Sequence, residues 1–245
     1  MSSRHSFRFR YNLVSRLYTI IIKEQPNIYR VMIQQIDLSL MEFIDQQILP
    51  RYASFGKSHG LFHVTRVIKN SIVLARQLGV DINMAYTIAA YHDLGMDGPR
   101  AIHHITGGRI LAMDARLKRW FSPEQIKIMR EAVEDHRASA SHTPRNIYGK
   151  IVAEADRDID EEIVFTRAIE YGMEKSPDKD KEWQWKRFVT HMEEKYSING
   201  YIKLWIPHSP NENKLKSLRE VIANKSLLRQ RFDAIYDKLL QGKSE

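Results

Sequence analysis

The sequence predicts an all-α protein. Apolar residues recur at helical spacing in one segment after another. Helix start and stop signals bound those segments, as at Ser122-Pro123-Glu124-Gln125 and at Gly79. Helical spacing dominates throughout, so almost no strand is expected.

Residues 33–49 place Ile33, Ile36, Leu40, Phe43, Ile44 and Ile48 on one helical face, and Pro50 ends that helix. Gly56 and Gly60 break the chain next. A second helix runs from about Leu61 to Leu78, capped by Gly79. His63 lies in its first turn. Val67 and Ser71 continue the histidine's face beside the apolar stripe of Val64, Ile68 and Ile72. Asp81 is the N-cap of a third helix, where Ala85, Ile88, Ala89 and His92 share a face. Asp93 follows, about 100° further round a helix. The stretch Ile88 to Gly95 thus sets two metal-type ligands side by side where a helix leaves the core. A buried carboxylate is costly unless paired or bound to metal. A structural His-Asp hydrogen bond is the plainer alternative.

Leu94 to Arg100 reads as a loop with two glycines and a proline. Residues 101–116 resume helical spacing and contain the adjacent His103 and His104. Gly107 and Gly108 permit close packing, although each weakens a helix by about 1 kcal/mol relative to alanine. Ser122 to Gln125 forms a capping box with proline at the first helical position. The helix that follows presents Ile128, Met129, Ala132, Val133 and His136 on one stripe. Thr143-Pro144 starts another, in which Val152, Asp156, Ile159 and Ile163 share a face. Asp156 therefore points inward, and Glu154, Asp158 and Asp160 read as a solvated face. Beyond Glu161 no metal-type constellation recurs. Trp183, Trp185, Phe188 and Tyr196 are amphipathic anchors among Lys181, Lys186 and Arg187. Tyr201 to Pro210 is irregular. Ser209-Pro210 opens a last helical region carrying Leu215, Leu218, Val221 and Ile222, continued by Leu228, Phe232, Ile235 and Leu239.

The 245 residues suffice for one large domain or a domain with an extension. Absence of cysteine excludes disulfides and thiolate metal sites and suits a cytoplasmic protein. No apolar run reaches the ~20 residues of a membrane span, so no membrane partner is expected. Much of the net charge of +8 lies in residues 1–31, where six basic side chains face one acid. This basic segment reads as a solvated lead-in. The runner-up is a nucleic-acid-directed enzyme or binder, using that segment and the aromatic residues near Trp185.

His63, His92-Asp93 and Asp156, taken in order, resemble the metal-binding set of the HD-domain metal-dependent phosphohydrolase superfamily. Ser58-His59-Gly60-Leu61-Phe62-His63-Val64-Thr65-Arg66-Val67 looks like its first motif, Ala90-Tyr91-His92-Asp93-Leu94-Gly95 its defining motif, and Ala153-Glu154-Ala155-Asp156-Arg157 its closing motif. The resemblance covers roughly residues 33–170. It implies a helical bundle over 32–170, with 171–245 as a C-terminal helical extension packed on the same domain. It also implies a divalent metal, with Mn, Fe, Co, Ni, Zn and Mg not distinguished, held by His63, His92, Asp93 and Asp156. Metal-activated water would then hydrolyse a small phosphorylated metabolite, a nucleotide by preference.

Some members of the superfamily add histidines between the central and closing motifs and hold two ions. The candidates here are His104 and His136, with His103 as the alternative to His104. His103 precedes Gly107 by four and His104 precedes Gly108 by four, so the register is open. With both extra positions filled, Asp93 would bridge two metals. The lysine and the Gly-Tyr-Pro element of the cyclic-dinucleotide branch are absent, which disfavours that substrate. Glu134-Asp135 resembles the acidic pair of alarmone hydrolases, but His136 is the better inward residue. Asp97 is a candidate acid or base, or a loop cap. Arg100, Arg137 and Arg157 are candidate phosphate grips. A catalytically silent regulatory HD fold is the remaining alternative, disfavoured because buried ionisable groups without a role bring no stability. Oligomeric state is left open.

Overall fold

The computed structural model describes residues 36–56, 59–140, 142–157 and 159–242. The basic segment 1–31, Ile33, Ser58 and Asp158 lie outside the described residues. Those described form ten α-helices joined by turns and short 3-10 segments, with no strand among them. The chain divides into two compact units. One runs to Arg137 and takes in His142–Asp156; the other joins Ala138–Ser141 to Arg157 and everything after it. The division falls at Asp156, earlier than the expected boundary at residue 170.

In the first unit α1 spans Leu38–Gln47, α2 Leu61–Gln77, α3 Ile82–Tyr91, α4 His103–Met113, α5 Pro123–Asp135 and α6 Ile147–Asp156. The central element is α3, buried at every position from Met84 to Tyr91 and packed on α2, α4, α5 and α6. Asp81 caps it by accepting from the Asn83 and Met84 backbone N–H groups. Gly79 ends α2 in a left-handed conformation, φ 65°. The Gly79 and Val80 N–H groups bond back to Arg76 and Ala75, the paired bonds of a Schellman stop. Ser122 and Gln125 form the expected capping box on α5.

Several boundaries differ from expectation, each for a local reason. Helix α1 begins only at Leu38, because Asp37 caps it with bonds from the Ser39 and Leu40 N–H groups. It stops at Gln47, and Pro50 sits in the first turn of a 3-10 helix, Leu49–Ser54. The segment after Asp93 is not a plain loop, since Leu94–Asp97 and Arg100–Ile102 are 3-10 turns. Helix α6 begins at Ile147 rather than Thr143. The Arg145 N–H is drawn to the Asp135 carboxylate at 2.7 Å, and Asn146 then caps the helix through the Gly149 N–H. The face running from Val152 through Ile163 is broken, because Asp160 caps a new helix and leaves Ile163 exposed. Glu154, expected on a solvated face, is fully buried.

In the second unit α7 spans Glu161–Lys175, α8 Lys181–Tyr196, α9 Pro210–Ala223 and α10 Lys225–Gln241. The last two were expected as one region. Asn224 separates them by accepting from the Leu227 N–H, which starts α10 afresh. Phe165, Phe188, Met192, Leu218, Leu228 and Phe232 lie at the centre of this unit's core. Helix α7 shares that core, which is why it belongs with the C-terminal helices. The aromatic residues read as a nucleic-acid option are largely spent here. Phe188 and Tyr196 are buried, Trp185 packs on Phe188 and Phe232, and Lys181 is paired with Asp233 and Asp237. No helix among the described residues is long and apolar enough to cross a membrane.

Candidate metal centre

The site forms where α3 runs out. His92 keeps helical dihedrals, and Asp93 leaves them at φ −103°, ψ 6°. Tyr52, fully buried after α1, clamps this end: its hydroxyl donates to the Ala90 carbonyl at 2.9 Å and accepts from the Asp93 N–H at 3.4 Å. Gly95 then lets α4 approach closely. A Cβ on Gly95 would stand 2.0 Å from the His103 carbonyl oxygen and 2.7 Å from the Gly107 nitrogen. Gly107 in turn backs onto the His92 carbonyl, where a Cβ would lie 2.9 Å away.

Asp93 divides its two oxygens between two sets of side chains. Its Oδ2 lies 3.4 Å from both His63 Nε2 and His92 Nε2. Those two nitrogens are 3.1 Å apart, and Asp156 Oδ1 is 3.2 Å from His63 Nε2. Its Oδ1 lies 3.6 Å from both His103 Nε2 and His136 Nε2, which are themselves 3.2 Å apart. His59 Nδ1 adds a 2.7 Å contact to Oδ2. His63, His92, Asp93, His103 and His136 are buried; Asp156 and His59 are more open, with side chains 25% and 22% exposed.

Three of the rings have their tautomers set by backbone carbonyls one turn back. Nδ1 of His92 donates to Ala89 at 2.7 Å, that of His103 to Arg100 at 2.7 Å and that of His136 to Val133 at 2.6 Å. Their Nε2 lone pairs are therefore aimed inward. His63 differs, since its Nδ1 faces Arg66 Nη2 at 3.2 Å. Converging lone pairs and carboxylate oxygens repel one another unless positive charge lies among them. Burial works to raise the Asp93 pKa, yet the charge of His92 and the close approach of His136, His59 and His63 drive it well below the usual carboxylate range. Asp156 is held low in the same way, by His63 above all, against its burial. Burial also opposes protonation of His63, but Asp156 and Asp93 lift it to about 9. His103 goes the other way, to about 4, through burial and the charge of His136.

These donors fit a divalent cation. Groups of ligand atoms within 4.8 Å of one another are formed by His63, His92 and Asp156, by Asp93, His103 and His136, and by His59, His63 and Asp93. Two ligands about 2.1 Å from one ion, at about 90–109°, stand about 3.0–3.4 Å apart, close to the spacings seen here. Imidazole nitrogens with carboxylate oxygens, and no thiolate, suit Mn, Fe, Co, Ni or Zn. Binding would displace the protons that the carboxylates draw onto these rings.

Of the residues singled out in the sequence, His63, His92, Asp93, Asp156, His103 and His136 are brought together. His104 is not. Its neighbour Gly108 backs onto α5, where a Cβ would meet Glu134 Cγ at 2.7 Å, so the His103–Gly107 stripe is the one that faces α3. Asp97 is an exposed partner of Arg51 at 3.2 Å and stands outside the ligand groups. Arg137 is exposed and donates to the Ala101 carbonyl at 2.9 Å, tying the end of α5 to the turn before His103. Arg157 is buried and begins the second unit.

Three features escaped the sequence reading. His59 lies four residues before His63, a spacing that was a usable signal. Tyr52 carried none, because its contacts join residues far apart in the chain. Asp135, set aside in favour of His136, is as buried as that neighbour. It accepts from the Arg145 backbone N–H and guanidinium at 2.7–3.1 Å and faces His142 Nε2 at 3.0 Å. Arg145 also reaches Glu134 at 2.7 Å. The acidic pair is thus taken up in holding segment 142–145.

Comparison with known proteins gives one match, to the family model described as the HD domain, over residues 60–159. No curated protein and no solved structure matched. The match spans every residue of the ligand groups except His59, which stands one position before it. Residues 60–159 are an HD domain, the domain of the HD metal-dependent phosphohydrolase superfamily.

Proposed function

We propose that this protein is a metal-dependent phosphohydrolase acting on a small phosphorylated metabolite, a nucleotide by preference, with two divalent ions. The observation that carries the reading is Asp93, whose two oxygens face separate imidazole sets. His63, His92, Asp93 and Asp156 would hold one ion; His103, His136 and Asp93 would hold the other. The chemistry supplied by such ions is activation of water and polarisation of a phosphoryl oxygen. The chain's own part is to fix the donors. Backbone carbonyls hold three imidazoles in one tautomer, and Tyr52 and Gly95 place Asp93. Arg137, exposed and with guanidinium nitrogens beyond the one bound to Ala101, is one candidate phosphate grip. Arg157 is the alternative.

The test is phosphate release from nucleoside mono-, di- and triphosphates and from dinucleoside polyphosphates, with Mn, Co, Ni or Fe(II) supplied. Wild type is run beside Asp93→Ala. Turnover in wild type, lost by at least about 1,000-fold in Asp93→Ala with helicity retained, is expected. Full activity in Asp93→Ala would sink the assignment. Absence of turnover in a wild type that binds metal would favour a regulatory role.

A further inference from the structure

His59 stands outside both imidazole sets just described, although it makes the shortest contact that Asp93 has. Its Nδ1 lies 2.7 Å from Asp93 Oδ2, whereas the other contacts to that carboxylate's oxygens are 3.4–3.6 Å. An ionised carboxylate only accepts, so Nδ1 must carry the hydrogen. A distance of 2.7 Å is that of a charge-assisted hydrogen bond. The spacing of two ligands on one ion is wider, about 3.0–3.4 Å.

The chain is shaped to present this ring. The His59 N–H bonds to the Gly56 carbonyl at 2.9 Å, just before α2. Gly60 then serves as the N-cap of α2 without a side-chain bond. The ring meets that of His63 edge-on, with centroids 5.6 Å apart. Asp93 needs such a partner, because its side chain can rotate about Cβ–Cγ. With Oδ2 held by His59, Oδ1 is left aimed at His103 and His136.

We infer that His59 is a positioning residue that fixes the rotation of the Asp93 carboxylate by donating from Nδ1, so that one oxygen serves each imidazole set. The inference rests on the two-ion reading above. It assigns His59 to the ring of groups that orient ligands rather than to the ligands themselves. Groups of that kind commonly change metal affinity by about 10–100-fold when removed.

The test uses full-length wild type, His59→Ala and His59→Asn, stripped with chelator and reloaded with Co(II). Affinity is read by competition with a chelating dye, bound cobalt by elemental analysis, and coordination from the visible absorption band. Asparagine places an amide N–H where the imidazole Nδ1–H stands, yet is a poor cobalt ligand. The expected result is about 10–100-fold weaker binding in His59→Ala, an unmoved absorption band, and recovery of most of the affinity in His59→Asn. A shifted band in His59→Ala would make His59 a direct ligand and overturn the inference. Equal behaviour of the alanine and asparagine variants, or wild-type affinity in His59→Ala, would overturn it too. Failure of wild type to bind cobalt at all would overturn the two-ion reading and the inference with it, and is told apart because it appears without any substitution.

Discussion

Single side chains decide which histidine completes the second set. His103 is buried and 3.2 Å from His136 through facing Nε2 atoms; His104 is only partly buried and belongs to no ligand group. His103→Ala should therefore lower bound metal from about two ions to one per chain by elemental analysis, and His104→Ala should leave it unchanged. The reverse result would move the second set to the other stripe of α4. Arg145 carries a different kind of claim. It is the main partner of Asp135, whose side chain is 1% exposed. Arg145→Ala leaves that carboxylate buried with half its donors gone. Destabilisation of about 2–3 kcal/mol is expected in urea unfolding, the range for hydrogen bonds to charged groups.

At the scale of elements, the approach of α4 to the end of α3 is the critical packing event. Gly95 and Gly107 allow backbone to meet backbone there, with no flexible side chain able to move aside. Gly95→Ala should cost at least about 3 kcal/mol, at or beyond the upper range of core overpacking. It should also reduce metal bound at the His103–His136 set more than at the His63–Asp156 set. Equal loss at both would show that α4 does not carry the second set independently. Most of these helices were legible in the sequence. Asp81, Gly79 and the Ser122–Gln125 box act through bonds to residues two to five positions away, so a local pattern reveals them. The misplaced starts at Ile147 and Lys225 have a different origin. At Ile147, a carboxylate ten residues earlier in the chain holds Arg145 out of the helix. At Lys225, Asn224 caps a helix inside one continuous apolar pattern.

At the scale of the whole molecule, a pH dependence of stability is expected from one half-buried histidine of the second unit. In the second unit burial, with the charges of Lys195 and Arg187, holds His191 down to about 4 against an ordinary 6.5. Between those values the unfolded chain binds a proton that the folded chain refuses. Stability therefore rises with pH through this window and is fully present above about 6.5. Unfolding free energy should fall by about 1–2 kcal/mol from this group between pH 7 and pH 5, and His191→Gln should remove that part of the slope. An unchanged slope in the variant would exclude His191 as its source. The nucleic-acid alternative now rests on residues 1–31, because the C-terminal aromatics are largely engaged in a core. Oligonucleotide binding that weakens steeply with salt, and disappears when 1–31 are deleted, would restore it.

What the sequence determined by itself was the all-α class, most of the helices and the inward direction of His63, His92, His136 and Asp156. Each of these follows from a repeat of 3.6 residues, and a repeat is a local property. Tertiary structure alone decided between His103 and His104. Neighbouring residues on a helix point about 100° apart, and both have a glycine one turn on, so the pattern is satisfied either way. The choice was made by which glycine backs onto α3. The same holds for Asp93 itself. Its place beside His92 was written in the sequence, but the division of its oxygens between two imidazole sets exists only once α2, α4 and α5 converge on the end of α3.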